Sequence, residues 1–343
     1  MTDRRRFMQY ATAAAVGAKA LMSGQPVRAA VAEGRDQGGL APPWPGMQYR
    51  TLGRTGYNAS RLIFGCGAAL SSRRQDRLLH KAFDEGVNVF DVGFSDYYDD
   101  AEKHLAPFLK ARRDDIFLIS KAYVPIEVEE QETASAADLK AAARGWSAYL
   151  DGSLREMQVE HVDAYYLMAS YNTSVITSDE IYRAFEDAKA AGKVSYLGLS
   201  SHQNTQNVLN AAARSGRFDL AMIAITPGGW YDWENKSVLD GSPPMTDLRA
   251  TLDAAREAGI GLIGMKAGRY LAGRRFLGWG NPEAFDEHYS DEVLKSKLSA
   301  FQRSYAYVLE HGLDAVNADM QNLVHLKENF VAAATSQEIF GTA

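Results

Sequence analysis

Among 343 residues there is one cysteine, Cys66, so no intrachain disulfide can form. No G-x-G-x-x-G follows the first apolar strand-like segment, which removes the best signal of a doubly wound dinucleotide fold. No histidines and carboxylates stand at metal-ligand spacing, so a metalloenzyme has no support. There is no internal repeat of fixed period. No apolar run reaches membrane length; the longest mild one, Tyr10 to Met22, is too short to span a bilayer. The formal charge of −6 argues against polyanionic partners such as nucleic acid. What is abundant is apolar residue, 46% of the chain, enough for a soluble fold with a sizeable core. The length suits one large α/β barrel or two ordinary domains.

The N-terminus reads as an address. Asp3-Arg-Arg-Arg-Phe-Met-Gln9 resembles a twin-arginine export signal, the mild apolar run follows, and Ala30-Val31-Ala32 offers a small-residue cleavage site. Residues 1–32 are therefore expected to be a signal peptide, 33–46 a linker rich in Gly and Pro, and 47–343 the folded protein. The signal implies the twin-arginine export machinery as a partner, a periplasmic address and no integral membrane segment in the mature protein. That machinery carries proteins already folded, often with cofactor inside.

Beyond the linker, apolar strand-like runs alternate with helical apolar spacing. Strands are expected at residues 61–66, 88–91, 116–120, 162–167, 194–200, 220–225, 261–265 and 315–318. Helices are expected at 76–85, 101–110, 136–157, 178–191, 205–215, 247–258, within 291–311 and at 323–334. Eight strand–helix units, whose strands read as short buried runs, predict a (β/α)8 TIM barrel. In such a barrel the active site lies where strands end. Asp91, Lys121, Met168, Ser200 to His202, Thr226 and Lys266 all fall at or just past such ends.

The densest chemistry begins at Gly86-Val-Asn-Val-Phe-Asp91, with Tyr97, Tyr98 and Glu102 following, and resumes at Ile116-Phe-Leu-Ile-Ser-Lys121. An acid and an amine on neighbouring strands explain one another, because buried ions are costly unless paired. The ammonium favours a nearby phenolate and is expected to lower the tyrosine pKa. A plain structural salt bridge is the competing reading.

These residues resemble the aldo-keto reductases, whose site is Asp, Tyr, Lys and His. The likeness spans roughly residues 47–334 and implies hydride exchange between a nicotinamide and a carbonyl or alcohol. It assigns Asp91, Lys121 and a tyrosine. Counting back from Glu102 along the family's Tyr-Gly-x-Ser-Glu segment selects Tyr98, with Tyr97 as the alternative and Asp99 in the glycine's place. The family's Asp-x-Tyr-x-x-His reads Asp163-Ala-Tyr-Tyr-Leu-Met168 here, so Met168 stands where the histidine would be. A thioether has no proton to give, and losing one oxyanion donor typically costs about 10²–10³ in rate. His202 is the candidate replacement imidazole; an exposed loop histidine is the other reading. For the cofactor, NADP or NAD, the resemblance points to Ser200 and Ser201, to Met222 where the family has Gln, and to Lys266, Gln321, Glu328 and Asn329. Trp230 or Tyr231 would supply the stacking ring. The family's Gly-x-Arg clamp is replaced by Asp319-Met-Gln321, which weakens the case for NADP over NAD.

The leading expectation is an exported NAD(P)-dependent oxidoreductase of aldo-keto reductase type, slowed by Met168. The alternatives are a non-catalytic nucleotide- or ligand-binding barrel, acting as sensor or partner subunit, and a lyase or isomerase built on Lys121. The aromatic loops at 228–244 and 275–289 are expected to shape a pocket for a bulky or apolar substrate.

Overall fold

The computed structural model describes residues 44–272 and 280–341. The expected signal peptide, most of the expected linker and part of the 275–289 loop lie outside the described residues.

Eight parallel strands close into a barrel: β3 (Leu62–Gly65), β4 (Val89–Asp91), β5 (Phe117–Tyr123), β6 (Val162–Met168), β7 (Val194–Ser201), β8 (Leu220–Thr226), β11 (Gly261–Met265) and β12 (Ala315–Asp319). Closure is the pairing of β12 with β3, Val316 opposite Leu62. The strands are short apolar runs because both faces are buried. One face carries Ile63, Val89, Phe117, Ile119, Ala164, Tyr166, Met222 and Ile263 into the interior. The other carries Phe64, Phe90, Leu118, Tyr165 and Leu167 against the helices. Tyr166 fills the interior only because β7 has Gly198 opposite it; a Cβ there would lie 2.1 Å from the ring.

The surrounding helices are α1 (Cys66–Leu70), α2 (Asp76–Asp84), α3 (Ser95–Tyr98), α4 (Ala101–Arg112), α5 (Ala136–Met157), α6 (Thr173–Ile176), α7 (Asp179–Ala190), α8 (Thr205–Ser215), α9 (Arg249–Glu257), α10 (Asp291–Lys295), α11 (Ala300–Glu310) and α12 (Leu323–Phe340). Caps fix their starts: Ser135 accepts from the Asp138 N–H before α5, and Ser178 from the Ile181 N–H before α7. The helix expected within 291–311 is Ala300–Glu310, and a short helix, Asp291–Lys295, precedes it. Ser296 leaves the helical region, and Ser299 and Gln302 close a reciprocal capping box that starts α11 afresh.

Two hairpins were not foreseen. The first pairs β1 (Tyr49–Thr51) with β2 (Asn58–Ser60) and closes the floor of the barrel. Its Leu52 joins the interior cluster, and Gly53 (φ 48°) lies so close to strand β11 that a Cβ would fall 2.2 Å from the Gly261 nitrogen. The second, β9 (Gly229–Asp232) with β10 (Ser237–Val238), extends the end of β8 and occupies the expected 228–244 loop.

Candidate active site

Strand alternation aims Asp91 inward, two residues after Val89, at the C-terminal rim of β4. Lys121 does the same on β5, two residues after Ile119. The two side chains, 3% and 4% exposed, meet at the mouth. The Lys121 ammonium donates to Asp91 Oδ1 at 2.7 Å, to Oδ2 at 2.6 Å and to the Val92 carbonyl at 2.7 Å. Asn317, inward on β12, donates from Nδ2 to Asp91 Oδ2 at 2.6 Å. Burial pushes the Asp91 carboxyl up; Lys121 and Asn317 oppose that shift.

The tyrosines arrive on α3. The Phe94 N–H donates to the Lys121 carbonyl at 3.0 Å, tying their loop to the lysine's own backbone. Tyr98 lies between Gly67 and Gly93; a Cβ on either would come within 2.7 Å of its ring. Lys121 Nζ is 5.4 Å from the Tyr98 ring centroid. Tyr97 turns edge-on to both Tyr98 and Tyr123. Asp99, in place of the family glycine, takes φ 52°, a conformation that favours glycine. One expectation is corrected here. The Tyr98 phenol is pushed well above its ordinary value, by burial first and then by Tyr97 and Asp91. The lysine charge is already spent on the carboxylate 2.6 Å away, and the ring is half-buried.

The other expected residues divide. Met168 ends β6, buried at the mouth among the residues that pack beside the helices. His202 is half-buried, 5.0 Å from the Trp233 ring, and held well below its usual pKa by burial and by Lys266, Lys236 and Lys121. It is therefore a neutral imidazole of the mouth rather than an exposed loop residue. Lys266 also faces the mouth, its pKa lowered by burial and drawn back up by Asp319. Ser200 accepts from the Ala169 N–H at 3.2 Å. Ser201 points outward, its hydroxyl spent on the Gln203 carbonyl and Thr205 at the start of α8. Met222 lies within the barrel, its sulfur 3.3 Å from Asn317 Nδ2. Gln321 stands just past β12; Glu328 accepts from Ser299 at 2.5 Å, and Asn329 is buried on α12. Neither ring named for stacking is free at the rim: Trp230 donates to Gln206, and Tyr231 is buried in the interior cluster.

Three participants were missed. Asn317 carried a signal, since an amide at an inward position of a buried strand needs a partner. Its Oδ1 is buried without one, as is the Tyr166 hydroxyl. Trp233 sits on the β9–β10 turn, flanked by Lys236 and Lys266. Among the described residues no group of His, Cys, Asp and Glu is placed to hold a metal ion, and no helix is long and apolar enough to cross a membrane.

Residues 61–227 match the aldo/keto reductase family. The chain is 27% identical over 245 residues to an uncharacterized oxidoreductase of Bacillus subtilis, YrpG, covering 66% of this chain and 69% of that protein. It is 27% identical over 249 residues to the L-glyceraldehyde 3-phosphate reductase of Escherichia coli, covering 66% of this chain and 65% of that enzyme. An aldo-keto reductase of Bacillus halodurans in its holo form superposes with a TM-score of 0.58 at 21% identity, over 87% of this chain and 97% of that one. One from Klebsiella pneumoniae in complex with NADPH gives 0.58 at 18%, over 86% and 95%. The barrel thus has the fold of these aldo-keto reductases, and the residues that match the aldo/keto reductase family, 61–227, are those that deliver Asp91, Tyr98, Lys121 and Met168.

Proposed function

We propose that this barrel is a nicotinamide-dependent oxidoreductase that interconverts a carbonyl and an alcohol, with Tyr98 as the proton donor and acceptor. The observation that carries the reading is the Asp91–Lys121 pair, bridged at 2.6 and 2.7 Å, with its ammonium 5.4 Å from the Tyr98 ring. The relatives support it, one being named an oxidoreductase and another a reductase.

A nicotinamide fits the residues present unevenly. On the mouth Lys266 offers an ammonium to an anion, a cofactor phosphate or an acidic substrate group alike. At the carboxamide end the family's Ser and Gln contacts are weakened, because Ser201 is turned away and Met222 has no amide. The orphaned Asn317 Oδ1 is a buried acceptor that suits an amide N–H. A bound nicotinamide supplies hydride in reduction and receives it in oxidation.

The chain's own residues do the rest. A raised phenol pKa leaves Tyr98 protonated at neutral pH, so it can give its proton to the carbonyl oxygen as charge develops there. Lys121, whose charge and position Asp91 maintains, is the ammonium that stands over the Tyr98 ring. Met168 cannot orient the carbonyl, and neutral His202 is the residue that offers an N–H in its stead. Turnover is expected to be slow. A binding-only barrel is the second reading; it is favoured by the three acceptors that already saturate Lys121.

NADPH and NADH emission on mixing with the purified protein tests the reading. Saturable enhancement or quenching, followed by oxidation on adding an aldehyde, supports it. Binding without turnover favours the second reading, and binding of neither cofactor contradicts the redox assignment. We further propose export through the twin-arginine route to the periplasm, on the strength of Arg4 to Phe7.

A further inference from the structure

Lys236 and Lys266 share one aromatic ring. Their ammonium groups lie 3.3 and 5.0 Å from the Trp233 centroid. Both residues have positive φ, 57° and 71°, a region that side chains beyond glycine rarely enter and that marks functional loops when the surroundings enforce it. Both are half-buried. Among the described residues neither has a carboxylate at ion-pair distance; Asp232 attracts Lys236 and Asp319 attracts Lys266 only from further off.

The turn that presents Trp233 and Lys236 is built firmly, and Lys266 reaches it from just past β11. Asp232 Oδ1 accepts from the N–H groups of Glu234 at 2.7 Å and Asn235 at 3.1 Å, and Asp232 Oδ2 accepts from Asn235 Nδ2 at 2.6 Å. Trp233 also meets His202 at 5.0 Å, so the turn overhangs the same mouth as Asp91 and Lys121. Two like charges held together, partly out of water, oppose folding unless something negative joins them. Burial and its neighbours Lys266 and Arg269 hold Lys236 down to about 8, which an arriving anion would reverse.

We propose that the β9–β10 turn, together with Lys266 just past β11, recognises an oxyanion on the substrate, a carboxylate or phosphate that docks on Lys236 and Lys266 beside Trp233 while its carbonyl faces Tyr98. This rests on the redox reading above and narrows it to acidic or phosphorylated carbonyl compounds. It is an alternative to the sequence expectation of a bulky, apolar substrate. The phosphates of a nucleotide cofactor are the other source of the same chemistry, and the test separates them.

The test compares wild type, Lys236→Gln and Lys236→Arg with NADPH on two matched pairs: glyceraldehyde 3-phosphate against glyceraldehyde, and succinic semialdehyde against butanal. Wild type is expected to favour the charged member of at least one pair. Lys236→Gln lowers the charged-to-neutral ratio of kcat/KM about tenfold or more, the usual weight of one charge-assisted hydrogen bond, and Lys236→Arg restores most of it. No preference in wild type overturns the proposal, as does an unchanged ratio in Lys236→Gln or a loss that appears in NADPH affinity instead. Inorganic phosphate read by tryptophan emission gives a measurement without turnover. Saturable quenching that disappears in both Lys236→Gln and Trp233→Phe supports the anion site even if no aldehyde reacts, in which case only the redox reading fails. No quenching, with neutral aldehydes still reduced, removes the anion site and leaves the redox reading standing.

Discussion

Asn317 Nδ2 donates to Asp91 Oδ2 across 2.6 Å, from the last strand of the barrel to the second. This bond is the one side-chain donor to Asp91, apart from Lys121, among the described contacts. Replacing Asn317 with Ala removes a hydrogen bond that favours the charged carboxylate, so the Asp91 pKa should rise. The acid limb of the kcat profile is expected to move to higher pH, with kcat down about tenfold, the weight of a hydrogen bond to a charged group. A uniform loss of activity with an unmoved profile would reduce Asn317 to packing.

Glu102 gives a stability prediction with a definite sign. It is buried, accepts from Ser120 Oγ at 2.7 Å, and burial holds its carboxyl up at about 7 against an ordinary 4.5. A raised folded pKa means that the folded state keeps the proton longer. The resulting stability is fully present below the unfolded value and is lost as pH rises through about 7. Glu102→Gln keeps an acceptor for Ser120 and removes the titration. It should match wild type near pH 5 and exceed it at pH 8 by roughly 3 kcal/mol at most, read from denaturant melts at both pH values. Equal pH slopes for the two proteins would contradict this.

The floor of the barrel is locked elsewhere. Arg61, 1% exposed, pairs with Glu310 and donates to the carbonyls of Leu309 at 2.7 Å and Leu313 at 3.1 Å. Arg61→Met strands Glu310 without its cation and should cost about 3–5 kcal/mol. The loss is checked by chemical denaturation.

The barrel and two of its site residues could be read from the sequence for one reason. Its strands are doubly buried apolar runs, so an ionised residue at a strand tip, such as Asp91 or Lys121, breaks the pattern visibly. The tyrosine assignment followed from counting back from Glu102, and the positive φ of Asp99 accounts for the glycine usual there. What escaped depended on direction or on long-range contact. Ser200 and Ser201 were grouped as a pair, although consecutive strand residues point to opposite faces. Asn317 was hidden inside Ala315-Val-Asn-Ala318, where nothing local reveals Asp91 across the barrel. Trp233 sits in a hairpin of very short strands with exposed, charged residues at its turn, which has no periodicity to detect. The burial that raises the Tyr98 phenol follows from the packing of Gly67 and Gly93, which lie far from it in strand order or across a loop.

The N-terminal address makes its own prediction. Replacing Arg4 and Arg5 with Lys in the full chain should hold the protein in the cytoplasm with its signal uncleaved, as read by fractionation and intact mass. Unchanged periplasmic recovery would contradict twin-arginine export.

The assignment of Tyr98 as the proton donor is tested most directly by NADPH-dependent aldehyde reduction in Tyr98→Phe and Tyr97→Phe side by side. Loss of a general acid typically costs about 10²–10⁴ in rate, so Tyr98→Phe should lose turnover on that scale while still binding NADPH, and Tyr97→Phe should keep most of it. Full activity in Tyr98→Phe would contradict the account.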